Sequence, residues 1–189
     1  SPWRWLIDPL DGTTNFVHGI PHFAVSIGLT YRGNPILGVL HHPVEDTCWW
    51  AVTGEGAHGP HGPLRVTDES AFQSALVATG FSYDRKERAD SLTAGVHRAL
   101  LRARGVRRMG AAALDLLGVA RGVFGGYWED GLNPWDIAAG VVLVREAGGT
   151  VTAYDGSPLQ MDQGSLVASN TRLHPEMVAL ASGEPSPTA

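Results

Sequence analysis

Short apolar runs separated by turn residues occupy the first third of the chain. Because each run is short and is bounded by turn-forming residues, they predict strands at 5–7, 23–29, 35–40 and 48–52. The turn Arg32-Gly33-Asn34 would join the second and third strands as a hairpin. Residues 54–63, which are rich in Gly, Pro and His, predict a loop. This part of the chain therefore predicts an antiparallel sheet.

Longer segments of helical composition alternate with short strands in the rest of the chain. They predict helices at 85–104, at 111–120, at 135–147 and from about residue 173. Short strands are expected between them, at 75–79, 106–109, 125–128, 150–152 and 166–168. Neither a repeat nor a linker interrupts the pattern, so residues 1–182 predict one layered α/β domain. The tail 183–189 predicts disorder.

Composition and charge narrow the class of protein. The chain has 189 residues, 43% of them hydrophobic, and a net charge of −5. A net negative charge without a basic stretch argues against binding to nucleic acid or to a membrane surface. The single cysteine, Cys48, excludes an internal disulfide and fits a cytoplasmic protein. Because Cys48 lies beside Trp49 and Trp50, we expect a buried, inert thiol.

The largest group of candidate functional residues follows the first predicted strand. Asp8 and Asp11 lie three residues apart, and two partly buried carboxylates repel each other unless a cation lies between them. Mg²⁺ prefers such oxygen ligands, and the carbonyl of Leu10 could add another. Gly12 allows a tight turn, and Thr13 begins a predicted short helix whose free N–H groups would attract a phosphate. An isolated pair of this kind would be read as an acidic turn with a threonine helix cap.

A second polar segment lies about 120 residues further along the chain. Asp136 falls at the start of a predicted helix, where its charge favours the positive end of the helix dipole. Trp135 beside it would then be a core aromatic residue. Taken alone, this segment predicts a helix start and no particular function.

Together, the two segments resemble one known family. The string Asp-Pro-Leu-Asp-Gly-Thr-Thr-Asn over 8–15 resembles the first signature of the inositol monophosphatase family. Trp-Asp-Ile-Ala-Ala-Gly over 135–140, followed by Glu-Ala-Gly-Gly over 146–149, resembles the second. Because both signatures occur in the family's order, and other segments also resemble it, the likeness covers the chain up to about residue 180.

The resemblance implies a metal cluster of two or three Mg²⁺ ions per site. Its protein ligands would be the carboxylates of Asp8, Asp11 and Asp136 and the carbonyl of Leu10. Asp11 and Thr13 are also expected to be catalytic, with Thr13 helping to orient the attacking water. Such metals lower the pKa of a bound water and stabilise the departing oxygen of a phosphate ester.

The resemblance also implies the positions that would hold the substrate. The N–H groups of Gly12 and Thr13 would bind phosphate oxygens, and Glu129 would accept hydrogen bonds from sugar or polyol hydroxyls. The backbone of the small-residue turn that contains Ala112 would contact the substrate. Because Ala111 stands where many relatives have Ser or Thr, no contact that needs a hydroxyl is expected there.

The fold implied by the resemblance is a layered αβαβα sandwich. We expect its N-terminal helices and first strands, and a metal-binding Glu roughly 20 residues upstream of the first signature, to lie outside this chain. The 189-residue chain alone should then bind metal weakly, catalyse poorly and expose an apolar sheet face that lowers its solubility. A cytoplasmic, lithium-sensitive homodimer is the expected complete protein.

Several activities remain open from the sequence. The favoured one is Mg²⁺-dependent hydrolysis of a small phosphorylated polyol or sugar, with myo-inositol 1-phosphate as the first candidate. Similar relatives hydrolyse histidinol phosphate, fructose 1,6-bisphosphate, 3′-phosphoadenosine 5′-phosphate or NADP. A catalytically silent relative that acts as a binding or regulatory subunit is the alternative from another class.

We expect the histidines near the first signature and on the third strand to have structural roles. His18 and His22 follow the first signature, but Mg²⁺ favours oxygen, so packing roles are expected. His41 and His42 could bind a transition metal by composition, yet adjacent strand residues point to opposite faces of a sheet. We therefore expect structural roles for this pair as well.

Overall fold

The computed structural model describes residues 1–184 and contains two β-sheets and five α-helices within that range. The helices are α1 (Thr13–Val17), α2 (Ala89–Arg102), α3 (Ala112–Ala120), α4 (Pro134–Glu146) and α5 (His174–Ser182). The strands of the first sheet are β1 (Trp3–Asp11), β2 (Ala24–Tyr31), β3 (Asn34–His42), β4 (Thr47–Val52), β5 (Gly56–Gly59) and β6 (Gly62–Pro63). Those of the second are β7 (Leu76–Thr79), β8 (Gly105–Arg107), β9 (Gly126–Asp130), β10 (Gly149–Thr152) and β11 (Ser165–Asn170).

The two sheets differ in how their strands are connected. The first runs in the order β1-β2-β3-β4-β5-β6, and every neighbouring pair is antiparallel, as consecutive hairpins require. The second runs β10-β11-β9-β7-β8, with β7 parallel to both β8 and β9. Its parallel pairs need crossovers, and α2 and α3 supply them.

Helices α3 and α4 fill the space between the sheets. Alternate residues of the second sheet therefore face different cores: Tyr127 packs against the α3–α4 layer, and Trp128 packs on the opposite side, with α2 and α5. The described residues form four layers: first sheet, α3 with α4, second sheet, and α2 with α5. The expected layered α/β fold is confirmed.

Helix α4 approaches the first sheet very closely. A Cβ on Gly38 would lie 2.4 Å from the Ala139 carbonyl oxygen, and one on Gly28 would lie 2.5 Å from the Ala138 Cβ. Only glycine at these two strand positions lets helix and sheet backbones approach this closely. Helix α4 is thereby held close to β2 and β3.

The other side of the first sheet, which we call the outer face, is largely uncovered. On β1 it presents Trp3, Trp5 and Ile7, which are 51%, 58% and 53% exposed, whereas Leu6 between them is buried. The strand predicted at 5–7 forms part of β1, but two of its three residues, Trp5 and Ile7, are exposed, because only one side of β1 meets a helix layer. The outer face is an apolar surface of the kind that accompanies association.

Several local predictions need correction. The loop predicted at 54–63 contains β5 and β6, because its backbone continues the hairpin pairing beyond β4 and the Trp50 ring stacks on His58. Cys48 is exposed rather than buried, since β4 alternates and it is Trp49 that faces the core. The helix predicted from residue 85 begins only at Ala89.

The last helix ends at a glycine. Gly183, at φ 82°, closes α5, as glycine commonly does after a helix. Of the tail predicted to be disordered, residues 185–189 lie outside the described residues.

Between residues 1 and 184, none of the helices combines the length and the apolar character that a membrane span requires.

Candidate active site

The first two predicted carboxylates lie at the end of β1, where the strand is irregular. The pairing of β1 with β2 shifts register between Asp8 and Asp11, which marks a bulge. Such an irregularity re-aims the side chains that follow it, so Asp8 and Asp11 can line one cavity despite their odd spacing on a strand. Asp8 Oδ1 also accepts a hydrogen bond from the Leu10 N–H at 2.9 Å, which fixes this turn.

Asp11 is the most buried of the cavity's carboxylates. Its Oδ2 accepts a hydrogen bond from the Ala113 N–H at 2.8 Å, at the start of α3. The pKa of Asp11 rises to about 8, mainly because of burial; the charges of Asp8, Asp136 and Glu129 contribute to the rise, and the Ala113 hydrogen bond opposes it. A carboxylate in this environment ionises readily only when a positive charge joins it.

Asp136 is held by the first turn of α4. Its Oδ2 accepts hydrogen bonds from the backbone N–H of Asn133 at 2.7 Å and from Asn133 Nδ2 at 3.2 Å, within a capping box. Ser26, the register partner of Asp8, donates to the Trp135 carbonyl at 3.2 Å. This bond ties the start of α4 to the strand beside β1, and it places Asp136 next to Asp8. Burial raises the pKa of Asp136, and the adjacent Asp8 contributes.

Glu129 lies on the other side of the cavity, on β9. The Tyr127 hydroxyl donates to Glu129 Oε2, and Gly80 gives the carboxylate its space, since a Cβ there would lie 1.9 Å from the same oxygen. Burial raises the pKa of Glu129 to about 7, while the Tyr127 hydrogen bond and the charge of Arg108 oppose the rise. A carboxylate fixed in this way is a suitable acceptor for substrate hydroxyls.

The turn between β1 and α1 has the conformation that its sequence requires. Gly12 has φ 84°, in the region that favours glycine, and a Cβ there would lie 2.9 Å from the His22 carbonyl oxygen. The Thr13 hydroxyl donates to the Leu10 carbonyl at 2.9 Å. The first N–H groups of α1 have no partners within the helix and are available to an anion. Thr13 and Leu10, both predicted site residues, are thus in direct contact.

All eight predicted site residues line one cavity of about 520 Å³. They are Asp8, Leu10, Asp11, Gly12, Thr13, Ala112, Glu129 and Asp136. The structure thus brings together the two segments that lie far apart in the sequence. Trp135 also lines this cavity and is exposed, so the prediction that it is a core residue is wrong.

Other residues of the site were not predicted from the sequence. Arg85 and Arg108 line the cavity and bring positive charge to it, and the Arg108 guanidinium lies 5.6 Å from the centre of the Phe81 ring. Asp115, on α3 behind the cavity, is buried, and neither of its carboxylate oxygens has a hydrogen-bond partner among residues 1–184. Burial raises its pKa well above the ordinary value, and the charges of Glu129 and Asp11 add to the rise. No local sequence pattern marks these residues, because their roles depend on neighbours distant in the chain.

The donor atoms of the cavity fit a hard divalent cation. Asp8, Asp11 and Asp136 supply oxygens, and the pKa of Asp11 is raised mainly by burial, with a further contribution from the charges of the neighbouring carboxylates. Within residues 1–184, no group of three or more His, Cys, Asp or Glu side chains is close enough to enclose a metal ion. Mg²⁺ tolerates such an open arrangement, because it retains several water ligands and commonly uses only one or two carboxylates.

Comparison with known proteins gives a consistent result. The model of the inositol monophosphatase family matches residues 1–185. The chain is 45% identical over 177 residues to an inositol-1-monophosphatase of Synechocystis, an alignment that covers 94% of this chain and 62% of that protein. It is also 45% identical over 175 residues to the Nus factor SuhB of Pseudomonas aeruginosa, covering 91% of this chain and 64% of that one.

A solved structure shows the same likeness in three dimensions. The inositol monophosphatase from Anabaena superposes with a TM-score of 0.93 at 43% identity, and the match covers 100% of this chain and 75% of that one. The chain thus spans less than two thirds of the two relatives compared by sequence and three quarters of this structure.

Proposed function

We propose that this chain, which belongs to the inositol monophosphatase family, forms the metal- and polyol-binding part of a Mg²⁺-dependent phosphatase. The substrate would be a small phosphate monoester, with myo-inositol 1-phosphate as the first candidate. The observation that carries the proposal is the convergence of Asp8, Asp11 and Asp136 with Glu129 on one cavity. Three carboxylates suit cations, and the fourth, held by a tyrosine, suits hydroxyl groups.

The residues divide the chemistry between them. Asp8, Asp11, Asp136 and the Leu10 carbonyl would hold two or three Mg²⁺ ions, which supply positive charge to activate water and to stabilise the departing oxygen. The N–H groups of Gly12 and Thr13 would hold phosphate oxygens at the start of α1. Because the Thr13 hydroxyl donates its proton to Leu10, its oxygen remains an acceptor that can orient a water O–H.

The substrate end of the cavity supports a polyol. The Glu129 carboxylate is fixed by Tyr127 and can accept hydrogen bonds from adjacent hydroxyls. The backbone around Ala112 forms part of the same wall, and Arg85 and Arg108 favour an anionic ligand. The name of the Synechocystis relative, inositol-1-monophosphatase, supports the same choice of substrate.

The test is phosphate release with Mg²⁺ and with EDTA. The polypeptide expressed from the natural start of its gene and the 189-residue chain are assayed in parallel with inositol 1-phosphate, histidinol phosphate, fructose 1,6-bisphosphate, 3′-phosphoadenosine 5′-phosphate and NADP. We expect Mg²⁺-dependent release that is fastest with inositol 1-phosphate. Asp11→Asn should lower kcat by at least about 100-fold, because one metal-binding charge is lost. Near-normal turnover of that variant at saturating Mg²⁺ would contradict the assignment.

A second candidate function is a binding role, in place of catalysis or beside it. It is favoured by the name Nus factor carried by the SuhB relative at 45% identity. The two roles separate in the Asp11→Asn variant, which would lose phosphate release and retain a binding function. A folded polypeptide that releases phosphate from none of the five esters would favour the binding role.

The remaining features are proposed from family membership. We expect the complete protein to be a cytoplasmic homodimer that Li⁺ inhibits. Sedimentation equilibrium measures the dimer, and phosphate release at increasing LiCl, with NaCl as the ionic-strength control, measures the inhibition.

A further inference from the structure

A second, smaller cavity lies beside α3 and shares no lining residue with the candidate active site. Its volume is about 160 Å³, close to the roughly 150 Å³ of an apolar cavity that takes up benzene. One side is apolar and includes Leu114, Leu117 and Phe124, and the other side carries His22 and His42. The proposed phosphatase mechanism uses none of these side chains.

The imidazole rings in this cavity lack hydrogen-bond partners. His22 Nε2 and both ring nitrogens of His42 are buried, and none of the three makes a hydrogen bond within the described part of the chain. Glu45 Oε2 lies 3.7 Å from His42 Nδ1, which is too long for a hydrogen bond. Because buried polar groups are nearly always paired, three unpaired nitrogens on neighbouring rings indicate a polar partner inside the cavity.

The charges around the cavity favour a partner without net charge. Arg121 and Glu45 both line it at exposed positions, and their charges are opposite in sign. Burial lowers the pKa of His22, and the neighbouring His42 lowers it further, while Glu45 opposes the change. The His22 ring is therefore neutral near pH 7, and an ion that entered would lose its hydration without an unpaired opposite charge to meet it.

The spacing of the two rings matches one oxygen atom held between them. Their centres are 6.4 Å apart, and their planes are inclined by 60°. Two ring nitrogens that each lie about 2.8–3.0 Å from one oxygen put the ring centres roughly 6 to 7 Å apart when the angle at the oxygen is near tetrahedral. A hydroxyl can accept from the N–H of one neutral ring and donate to the bare nitrogen of the other, so one group serves both rings.

We propose that this cavity binds a small uncharged molecule with one hydroxyl on a six-membered ring, of the phenol or cyclohexanol class. The hydroxyl lies between His22 and His42, and the ring of the ligand packs on the apolar side of the cavity. The ligand thereby removes apolar surface from water and gives the buried nitrogens a partner. Val123 lines the cavity and is exposed, so the ligand can enter from solvent there.

The cavity adjoins two parts of the chain that position the candidate active site. The His22 carbonyl oxygen lies against Gly12, where an added Cβ would be only 2.9 Å away. Leu114 follows Ala113, whose N–H donates to Asp11. A bound ligand would therefore restrain the Gly12 turn and the start of α3.

Calorimetry tests the proposal by comparing phenol with toluene, which has a methyl group in place of the hydroxyl. The titrations use the 189-residue chain and the polypeptide expressed from the natural start of its gene. We expect one phenol per chain, bound at least about five-fold more tightly than toluene. His22→Leu and His42→Leu should each lower the affinity for phenol to that for toluene and leave the toluene affinity nearly unchanged, because the cavity loses a hydrogen-bonding group and stays apolar.

Two control variants accompany these titrations. His97→Leu makes the same substitution at an exposed histidine on α2, and Trp5→Lys in the 189-residue chain alters the outer face. Both should leave the two affinities unchanged. A phenol preference that persists in His22→Leu and His42→Leu, with folding verified by circular dichroism, would overturn the proposal, because the ligand would then bind elsewhere.

A crystal grown with phenol supplies a test that depends on no variant. It should place the phenol oxygen within hydrogen-bond distance of both His22 and His42. Only water between the rings would overturn the proposal, and so would equal affinities of the unmodified chain for phenol and toluene.

Discussion

At the scale of single residues, the candidate site is defined by carboxyl groups whose pKa values are raised. Asp11 and Glu129 are buried, and their pKa values rise to about 8 and about 7, in each case mainly because of burial. The charge of Arg108 opposes only part of the rise in the pKa of Glu129. A protein that has to bind a divalent cation is expected to keep such groups, at a cost to the stability of its metal-free form.

The first prediction concerns the stability of the metal-free chain as a function of pH. Because the pKa of Asp11 is raised from 3.8 to about 8, the folded chain binds more protons than the unfolded chain between these values. Stability is therefore highest below the lower value and falls as pH rises through the higher one, by a few kcal/mol at most. We expect the melting temperature without metal to fall from pH 5 to pH 8.5, and added Mg²⁺ to restore it at the upper end.

Asp11→Asn provides the control for this prediction, since an amide does not ionise. Its melting temperature should vary less with pH and respond less to Mg²⁺. An equally steep dependence in the variant would assign the effect to other groups, of which Asp115 is the first candidate.

The second prediction concerns the space around Glu129. Gly80→Ala would place a methyl group where the Glu129 carboxylate lies, 1.9 Å from Oε2, and would force that side chain to move. KM for inositol 1-phosphate should rise about ten-fold or more, while Mg²⁺ affinity stays within about two-fold, because the metal-binding carboxylates are not displaced. Steady-state kinetics at varied Mg²⁺ measure both. A fall in Mg²⁺ affinity equal to the change in KM would contradict separate roles for Glu129 and Asp11.

At the scale of elements, the distance between the two halves of the site depends on how α4 packs on the first sheet. Gly28 and Gly38 bring the helix close to β2 and β3, and Ser26 bonds to its first turn. Asp136 therefore reaches the end of β1 because of glycines far from the cavity. Its position depends on packing as much as on the motif that contains it.

The third prediction follows from this packing. Gly38→Ala would place a Cβ 2.4 Å from the Ala139 carbonyl and 2.6 Å from its Cα, so α4 must shift away from the sheet. We expect a loss of about 1–3 kcal/mol in the free energy of unfolding, as for other overpacked cores. Mg²⁺ affinity should also fall, because Asp136 moves with the helix. Gly105→Ala, where an added Cβ meets only ordinary contacts at 3.5 Å, is the matched control and should change neither quantity.

Much of the arrangement of elements could be predicted from the sequence, and the exceptions have physical reasons. Short apolar runs predicted β2, β3 and β4, and segments of helical composition predicted α3 and α4, close to their observed positions, because each of these elements packs in the apolar core. These patterns missed β5 and β6, whose Gly-, Pro- and His-rich sequence pairs through backbone groups that no side-chain pattern reveals.

The candidate site was likewise only partly predictable from the sequence. The residues proposed to bind metal followed from the two family signatures. The bulge at β1, the contact of Gly80 with Glu129 and the burial of Asp115 did not, since each depends on residues brought together only by folding.

At the scale of the whole molecule, the four described layers leave the outer face of the first sheet exposed to solvent. The outer face of the first sheet presents Trp3, Trp5 and Ile7 of β1 to solvent, and Trp50 of β4 is exposed as well. The sheets and helices behind it are well packed around two apolar cores. We therefore expect the outer face to govern the association of this chain in solution.

The fourth prediction concerns the outer face. The 189-residue chain should bind a hydrophobic dye such as ANS and self-associate with increasing concentration, because a large apolar surface is exposed. Trp5→Lys should reduce both effects without lowering the melting temperature by more than a few degrees. Leu101→Lys, at an exposed position on α2 outside that face, serves as the control. Equal reduction by both variants, measured by fluorescence and light scattering, would show that general charge matters more than this surface.

The separation of the carboxylates along the chain also has a consequence for folding kinetics. The first sheet consists of sequential hairpins, so it can form from local contacts soon after residues 3–63 are available. Asp136, by contrast, joins Asp8 and Asp11 only when α4 docks, which closes a loop of more than one hundred residues. At a pH where Asp11 ionises, like charges meet in this step, and we expect their repulsion to slow it. Mg²⁺ would therefore accelerate refolding at its final stage, and the metal that serves the finished site would also assist its assembly.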